Sequence, residues 1–343
     1  MSARWLTIGL VGVVMLGGCL RRERQVVVYV STDEAIALPI LRRFESETGI
    51  RVLMVGDTEA RKTTGLLDRL RAERGHGVAD VLWSSEAIGT EALLDEGLLA
   101  PHVSPVTTAW PEAWRSPNHE WHAFSPRPRV LVFDPRRIDR DDLPDSWFDL
   151  PDPRWAGEVV FADPRFGTTG GHLAAMRWLA GPESYANWVA DMRAGGVRML
   201  PGGNAAVVDA VRRGEALLGA TDADDVRAAN RTGAKLAMVI PGHAPVAGGG
   251  PMVMPNTVAI LQGAPHPSEA AALTDWLLSD HTARMLASSV SGNIPLQESV
   301  ASEFPDLLIA SPLLLDIDAV ESNAQDAVAA AATAWGGAPL GGR

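Results

Sequence analysis

Short apolar runs alternate with amphipathic segments along the first half of the chain. Residues 25–30 form a β-branched run that is typical of a buried strand. The apolar positions of residues 36–48 recur at helical spacing, and Gly49 ends that pattern. Because such alternation is typical of βαβ units, we expect parallel strands flanked by helices. Further strands are predicted at 51–55 and 80–83, and further helices at 63–74 and 91–96.

The alternation continues after a stretch rich in Pro and Trp at 101–121. The pattern therefore predicts two α/β lobes: lobe 1 comprises residues 26–125 plus 250–295, and lobe 2 comprises 126–249 plus 296–328. The Ala- and Gly-rich residues 329–343 are predicted to be disordered. Strands are predicted at 129–133, 158–162, 216–220, 235–240 and 257–261, and helices at 173–179, 185–194, 207–213, 226–232 and 268–278.

Length and composition narrow the class of protein. A chain of 343 residues is longer than one that usually folds around a single hydrophobic core, and its length suits two domains. A composition with 46% hydrophobic and 21% charged residues is typical of globular proteins. The net charge of −12 comes without a dominant basic patch, which argues against nucleic acid as a partner. The single cysteine excludes a disulfide within the chain.

The N-terminal segment predicts export and lipid anchoring. Arg4 precedes an apolar run that is too short to span a bilayer, so residues 1–18 are predicted to be a signal peptide. Leu16-Gly17-Gly18-Cys19 resembles the bacterial lipobox, which makes Cys19 the lipidated first residue of the mature chain and 19–25 a tether. We expect an extracytoplasmic protein, periplasmic or at the cell surface, that is attached to the membrane only by this anchor. A plain signal peptide with a chance cysteine is the alternative.

Several segments together resemble one known family. They are 26–31, 44–52, 79–83, 127–133, Ala264-Pro265-His266-Pro267 and 291–296. In order and spacing they resemble the solute-binding proteins of ATP-binding cassette importers, in the branch that includes the ferric-iron-binding proteins. The resemblance covers roughly residues 26–320.

The resemblance implies a type II periplasmic-binding-protein fold, in which two lobes with mixed sheets close on a ligand by a hinge. It also implies an importer permease and ATPase as partners, and we expect a monomer. The bound species would be ferric iron, or another hard cation, with a synergistic anion.

The chain departs from these relatives at the expected iron ligands. The relatives commonly carry two adjacent tyrosines after a Gly-Glu and the following strand, whereas Gly214-Glu215 is followed here by Asp224-Asp225. Where relatives often carry a histidine after the first strand, this chain has Asp33. The acid after the third strand is retained near Glu86.

Carboxylates cluster at the predicted carboxyl ends of strands, where ligands bind in sheets of this kind. Their oxygens suit hard cations such as Ca²⁺, Mg²⁺, Mn²⁺ or Fe³⁺, and their mutual repulsion favours a cation between them. The alternative is that the acids cap helices and favour their first turns. The candidate ligands are Asp33, Glu59, Glu86, Asp222, Asp224 and Asp225.

A glycine- and threonine-rich loop predicts an anion site opposite these acids. Gly167, Thr168, Thr169 and Gly170 lie between a strand and a helix, where free N–H groups and hydroxyls hold anions. The resemblance points to the same loop and to Asn204. Arg127 and Arg129 are predicted to pair with an anion or a cleft carboxylate, or to form a structural salt bridge.

Two ligand types fit acids on one wall and an anion site on the other. One is a metal bound with an anion, and the second is an amine-containing or zwitterionic solute such as an aminophosphonate or a polyamine. An enzyme is disfavoured because the sequence has no Gly-x-Ser-x-Gly elbow and no His-Glu-x-x-His helix. His172 and His243 are predicted to be structural or surface residues, and a position facing the cleft is the alternative. A binding module that signals to a membrane receptor is a further alternative.

Overall fold

The structure, a computed structural model, describes residues 23–57, 64–108, 110–165, 167–246 and 248–336. The signal peptide, the lipidated Cys19 and the candidate ligand Glu59 lie outside these ranges. They therefore stay predictions.

Ten strands and eleven α-helices alternate along the described residues. The strands are β1 (Gln25–Val30), β2 (Arg51–Gly56), β3 (Val81–Ser84), β4 (Leu99–Ala100), β5 (Trp121–Phe133), β6 (Val159–Ala162), β7 (Arg198–Leu200), β8 (Leu218–Asp222), β9 (Ala237–Val239) and β10 (Val253–Leu261). The helices are α1 (Glu34–Thr48), α2 (Thr64–Ala72), α3 (Ile88–Asp95), α4 (Thr168–Ala180), α5 (Pro182–Ala194), α6 (Asn204–Arg212), α7 (Ala223–Arg231), α8 (Pro267–Leu277), α9 (Asp280–Ser288), α10 (Glu298–Ala301) and α11 (Ile317–Ala334).

The first sheet has the strand order β2-β1-β3-β10-β5, with β4 beside β10. β1, β2 and β3 are parallel, whereas β10 is antiparallel to both of its long neighbours. Val26, Val28 and Val30 of β1 share one core with Phe44 of α1 and Leu273 of α8. The β-branched run predicted as a strand is therefore a buried central strand, as its composition indicates.

The second sheet contains β5, β8, β6 and β7 in that order, with β9 also beside β5. β5 belongs to both sheets, because its first part pairs with β10 and residues 129–133 pair with β8. At the crossing, Ser125 has a positive φ of 43° and β10 has a register shift between Met254 and Asn256. Lobe 1 is the first sheet with its helices and lobe 2 is the second, and the predicted α/β class with a mixed sheet in each lobe is confirmed.

The two crossing strands are longer than the sequence predicts. Strands were expected at 129–133 and 257–261, whereas β5 begins at Trp121 and β10 at Val253. Proline has no N–H for a ladder and argues against a central strand, and Pro126, Pro128 and Pro255 interrupt these segments. Because pairing passes from one sheet to the other here, the crossing tolerates the missing donors.

The predicted C-terminal disorder needs a correction. α11 continues to Ala334, so residues 329–334 are helical, while residues 337–343 lie outside the described ranges. Alanine has the highest helix propensity, and Ala327 and Ala331 are fully buried. α11 packs against α4 and α5 of lobe 2 and against α3 of lobe 1.

In the part of the chain that the structure describes, no helix combines the length and the apolar character needed to cross a bilayer.

A buried carboxyl lies between α3 and α11. Glu91 is 4% exposed, and its Oε2 accepts a 2.5 Å hydrogen bond from the indole N–H of Trp121. Burial raises the pKa of Glu91 to about 7 despite that hydrogen bond, and the nearby charges of Asp95, Asp318 and Glu321 add to the increase.

We expect Glu91→Gln to stabilise the protein above neutral pH. A folded-state pKa above the unfolded value means that this group favours folding below the unfolded pKa and loses that contribution as pH rises through about 7. Glutamine keeps the oxygen acceptor without titrating. The variant should match the wild type near pH 5 and exceed it at pH 8 by about 1–2 kcal/mol. Urea unfolding across this range measures the difference, and parallel stability curves would contradict it.

Candidate functional site

A cavity lies where the two lobes meet, at the carboxyl ends of their strands. Thr32 and Ser85 line it just after β1 and β3, and Thr168 and Asp222 line it after β6 and at the end of β8. The cavity volume is about 40 Å³. One water molecule occupies roughly 10–15 Å³ on this scale, so the cavity has room for a small ion with a few attached atoms.

Apart from Asp33, the lobe 1 wall of the cavity carries uncharged polar side chains, and it is tied to the strand crossing. Asn256 and Asn293 line the cavity, and both side-chain amides donate to the backbone oxygen of Ser125, at 2.7 and 2.8 Å. Thr32 donates to the Asn256 side-chain oxygen at 3.2 Å. The sequence reasoning did not select these residues. Thr32 and Ser85 follow predicted strands and were detectable from that position, whereas nothing local marks the two asparagines.

Asp222 is the centre of a buried ionic network in lobe 2. Its carboxylate is 1% exposed and pairs with Arg127 Nη2 at 3.1 Å and Arg129 Nη1 at 2.8 Å. Burial pushes the pKa of Asp222 upward, but the charges of the two arginines outweigh it and hold that pKa below its usual range. Asp222 occupies the N-cap position of α7, yet its side chain makes no capping hydrogen bond. A carboxylate so engaged would lose two ion pairs if it turned to a metal.

Arg129 organises the polar residues around this carboxylate. Its Nη1 donates to Thr168 Oγ1 at 3.0 Å and to Asn204 Oδ1 at 3.4 Å. Thr168 and the Asn204 amide in turn donate to Asp222 Oδ2, at 2.8 and 3.1 Å. The sequence left open whether the arginines bind an anion, a cleft carboxylate or a structural partner, and in this structure they bind the cleft carboxylate.

Arg127 connects the two lobes. Besides its pair with Asp222, it donates to the backbone oxygen of Ser85 at 2.7 Å, and its Nε lies 3.3 Å from Asp224 Oδ2. Burial lowers the pKa of Arg127, but Asp222, Asp224 and Asp225 raise it further, so the guanidinium stays charged. Arg127 is therefore a fixed positive charge in the cavity wall.

The remaining acids line the cavity from α7 and from the start of α1. Asp224 and Asp225 lie in the first turn of α7, and one oxygen from each lies within 4.8 Å of Asp222. Asp225 Oδ2 also accepts from Thr221 at 3.1 Å. Asp33 lines the cavity from lobe 1 and makes no capping hydrogen bond to α1, although it occupies the N-cap position. The structure thus brings four of the predicted acids to one cavity.

Glu86 is placed differently from the other acids. It is 5% exposed, does not line the cavity, and accepts from the backbone N–H groups of Ile88 at 2.8 Å and Gly89 at 2.9 Å. These contacts cap the first turn of α3. Burial raises the pKa of Glu86 to about 7, and the two N–H groups and the charge of Arg127 only partly oppose it.

The predicted anion loop is only partly at the surface of the cavity. Gly167, at φ 61°, and Thr168 line it at the N-terminus of α4. Thr169 is fully buried, and Gly170 lies against the backbone oxygen of Pro164 so closely that a Cβ would overlap it. Asn204 lines the cavity at the start of α6. The absence of a side chain at Gly170 therefore allows α4 to pack closely against the backbone at Pro164.

Neither tyrosine of the chain reaches the cavity. Tyr29 and Tyr185 are fully buried, with hydroxyls that donate to Glu73 at 2.7 Å and to the backbone oxygen of Ala327 at 2.9 Å. Burial raises the pKa of Tyr29 to about 12, so its hydroxyl stays protonated. Any hard cation here would have to bind through carboxylates, which are suitable ligands.

Comparisons with known proteins agree with this architecture. Iron uptake protein A1 of Synechocystis is 26% identical over 279 residues, which cover 76% of this chain and 74% of that protein. The iron-bound structure of HitA from Pseudomonas aeruginosa has a TM-score of 0.74 at 24% identity, covering 91% of this chain and 99% of HitA.

A third related structure carries a different ligand. The periplasmic binding protein AfuA of Actinobacillus pleuropneumoniae, with exogenous fructose-6-phosphate bound, has a TM-score of 0.75 at 19% identity and covers 92% of this chain and 100% of AfuA. These likenesses confirm the predicted type II periplasmic-binding-protein fold.

The family model described as bacterial extracellular solute-binding protein matches residues 77–323, which is more than half of the chain. The match includes the strand crossing, the buried network around Asp222 and the N-terminus of α4. The chain therefore belongs to the bacterial extracellular solute-binding protein family.

Proposed function

We propose that this protein binds a hard metal ion, with ferric iron as the first candidate, together with a small oxyanion in the interlobe cavity. The observation that carries the proposal is that carboxylates and fixed positive groups line the same cavity. Asp33, Asp224 and Asp225 supply the carboxylates. Arg127, which pairs with Asp224, and the α4 N-terminus at Thr168 supply positive potential for an anion.

The size of the cavity favours an ion with a small anion over a larger solute. As long as the lobes keep this arrangement, a volume of about 40 Å³ has room for about three groups of the size of a water molecule. The iron named in the two relatives supports the same cargo. Delivery to an importer permease and ATPase, and anchoring through Cys19, belong to the same proposal and follow from the family and the lipobox.

A zwitterionic or phosphorylated organic solute is the second candidate. The specific observation behind it is that Asp222 and Asp224 together offset the charges of Arg127 and Arg129, so these four side chains need no metal for charge balance. The fructose-6-phosphate bound to AfuA shows that a protein of this fold takes such a solute. It would enter only after the lobes separate.

A thermal-shift screen of the mature protein separates the two candidates. A ligand at about 100 times its Kd adds about 2.7 kcal/mol, which for a protein of this size corresponds to roughly 5–10 °C. We expect Fe³⁺ with carbonate or phosphate to give such a shift. Stabilisation by an aminophosphonate with no response to any metal would contradict the metal proposal.

Asp224→Asn combined with Asp225→Asn should abolish the metal-dependent shift, because both changes remove anionic oxygen ligands from the cavity. The matched control is Asp141→Asn with Asp142→Asn, an exposed adjacent pair in a short 3-10 helix that carries the same charge. The control should keep the full shift. An unchanged shift in the cavity variant would mean that these acids only favour the first turn of α7.

A further inference from the structure

A second polar layer lies beneath the cavity, on the buried side of α4. Arg129, His172 and His243 are all fully buried. Arg129 Nε and Nη2 and His172 Nδ1 have no hydrogen-bond partner among the described residues. Buried polar atoms are almost always paired, so three unpaired ones in one region call for an explanation.

The hydrogen bonds of His243 fix the tautomers of both histidines. His243 Nδ1 lies 2.9 Å from the backbone oxygen of Gly250, which only accepts, so Nδ1 carries the proton. A neutral His243 then has an unprotonated Nε2, which lies 3.3 Å from His172 Nε2. His172 must donate through Nε2, and its Nδ1 is left as a bare acceptor.

Arg129 provides the donors that this acceptor lacks. Its Nη1 donates to Thr168 Oγ1 at 3.0 Å, and His172 lies one helical turn after Thr168 on the same face of α4. Burial, the charge of Arg129 and the neighbouring His243 hold the pKa of His172 well below its usual range. An acceptor without a donor thus lies beside a guanidinium with two donors to spare.

We propose that neutral His172 is a positioning residue, which holds Arg129 through Nδ1 and one ordered water, and thereby sets the cavity wall formed by Thr168, Asn204 and Asp222. Because the tautomers require both imidazoles to be neutral, protonation of His243 places two N–H groups face to face, and protonation of His172 turns the acceptor Nδ1 into a donor. Either change breaks the chain from Gly250 to Arg129. The wall is therefore sensitive to acid.

The charged groups around His172 and His243 do not stabilise an added proton on either imidazole. Arg129 faces His172 from β5, His243 faces it from the segment before β10, and the Trp147 ring packs 4.3 Å away. None of the hydrogen bonds or ion pairs of the described residues joins a carboxylate to either imidazole. Trp147 Nε1, which also lacks a partner, is the rival donor for Nδ1.

The test uses the ligand-free protein, so it does not depend on the proposed cargo. In protein labelled with ¹⁵N at arginine, histidine and tryptophan side chains, we expect a bare Nδ1 and a protonated Nε2 on His172 at neutral pH. Exchange of the Arg129 Nε–H, corrected for its intrinsic rate, should accelerate roughly tenfold or more once the pH is acidic enough to protonate the histidines, whose pKa values burial holds below the usual range. Protection that follows pH at Trp147 Nε1 and not at Arg129 would overturn the proposal.

Two substitutions of His172 separate positioning from packing. His172→Asn places an oxygen near Nδ1 without a titrating group, so Arg129 exchange should stay slow and lose its dependence on pH. His172→Phe removes the acceptor, and exchange should be fast at every pH. Wild-type exchange in His172→Phe would contradict the inference. His122→Asn is the control, because His122 is also buried with a pKa of about 4 but bonds Thr107 in lobe 1.

The effect on binding is measured separately and rests on the proposed function. Sulfate is the probe, because it keeps its charge at the acidic pH of the exchange experiment, and we expect its affinity to fall roughly tenfold where Arg129 exchange accelerates in the wild type but not in His172→Asn. Absence of sulfate binding alongside the expected exchange pattern would count against the proposed anion wall. Sulfate binding without the expected exchange pattern would count against the positioning role of His172.

Discussion

Asp222→Ala is expected to lower the free energy of unfolding by about 3–5 kcal/mol, the range measured when one partner of a buried ion pair is removed. The substitution leaves Arg127 and Arg129, which are 5% and 0% exposed, without their shared carboxylate. Two like charges would then face each other in the wall of the cavity. Urea unfolding at neutral pH, followed by tryptophan fluorescence, measures the loss.

The matched control is Asp209→Ala. Asp209 pairs with Arg212 three residues later on α6, and both side chains are about half exposed, at 50% and 49%. A surface pair of this kind contributes roughly 0–1 kcal/mol. If Asp222→Ala cost no more than this control, the two arginines would have other acceptors within reach.

Much of the fold could be predicted because the parallel strands carry their own signals. Val26, Val28 and Val30 alternate with residues that face the other core, and Gly49 ends α1 in the left-handed conformation, at φ 66°. The helix α9 was missed. Its apolar pattern follows directly on that of α8, and only Leu278 and Ser279 separate the two helices; the Ser279 side chain accepts from the Thr282 N–H.

The crossing between the lobes could not be predicted from local pattern. Pro126 and Pro128 argue against a strand in isolation. β5 nevertheless continues through them, because Asn256 and Asn293, far away in sequence, hold the Ser125 backbone oxygen. Only the three-dimensional arrangement shows that these amides line the same cavity.

Several residues of the candidate site could be predicted from the sequence, but the ion pairs among them could not. The predicted strand ends pointed to Asp222, Asp224 and Thr168, and the structure places all three at one cavity, while their role as ligands stays a prediction. The sequence does not show which carboxylate forms ion pairs with Arg127 and Arg129 on β5, because that depends on how β5 pairs with β8. The consequence for function is substantial. Asp222 serves as an internal counter-ion, and the acids left to contact a cation lie nearer the first turns of α7 and α1.

Gly170→Ala should destabilise the protein although alanine favours helices over glycine by about 1 kcal/mol. A Cβ at this position would overlap the backbone oxygen of Pro164, which cannot rotate away, so α4 or the segment before it must shift. Overpacking of this kind costs about 1–3 kcal/mol.

Gly171→Ala is the matched control in the same helix. Its Cβ would meet the flexible side chains of Ile88 and Met254, both at 3.1 Å, which can give way. We expect Gly171→Ala to be neutral or stabilising and Gly170→Ala to lie about 1–3 kcal/mol below it in urea unfolding. Because a shift of α4 moves Thr168, Gly170→Ala should also weaken sulfate binding. Equal stabilities would show that the loop at Pro164 yields freely, in which case the α4 N-terminus is not a fixed wall.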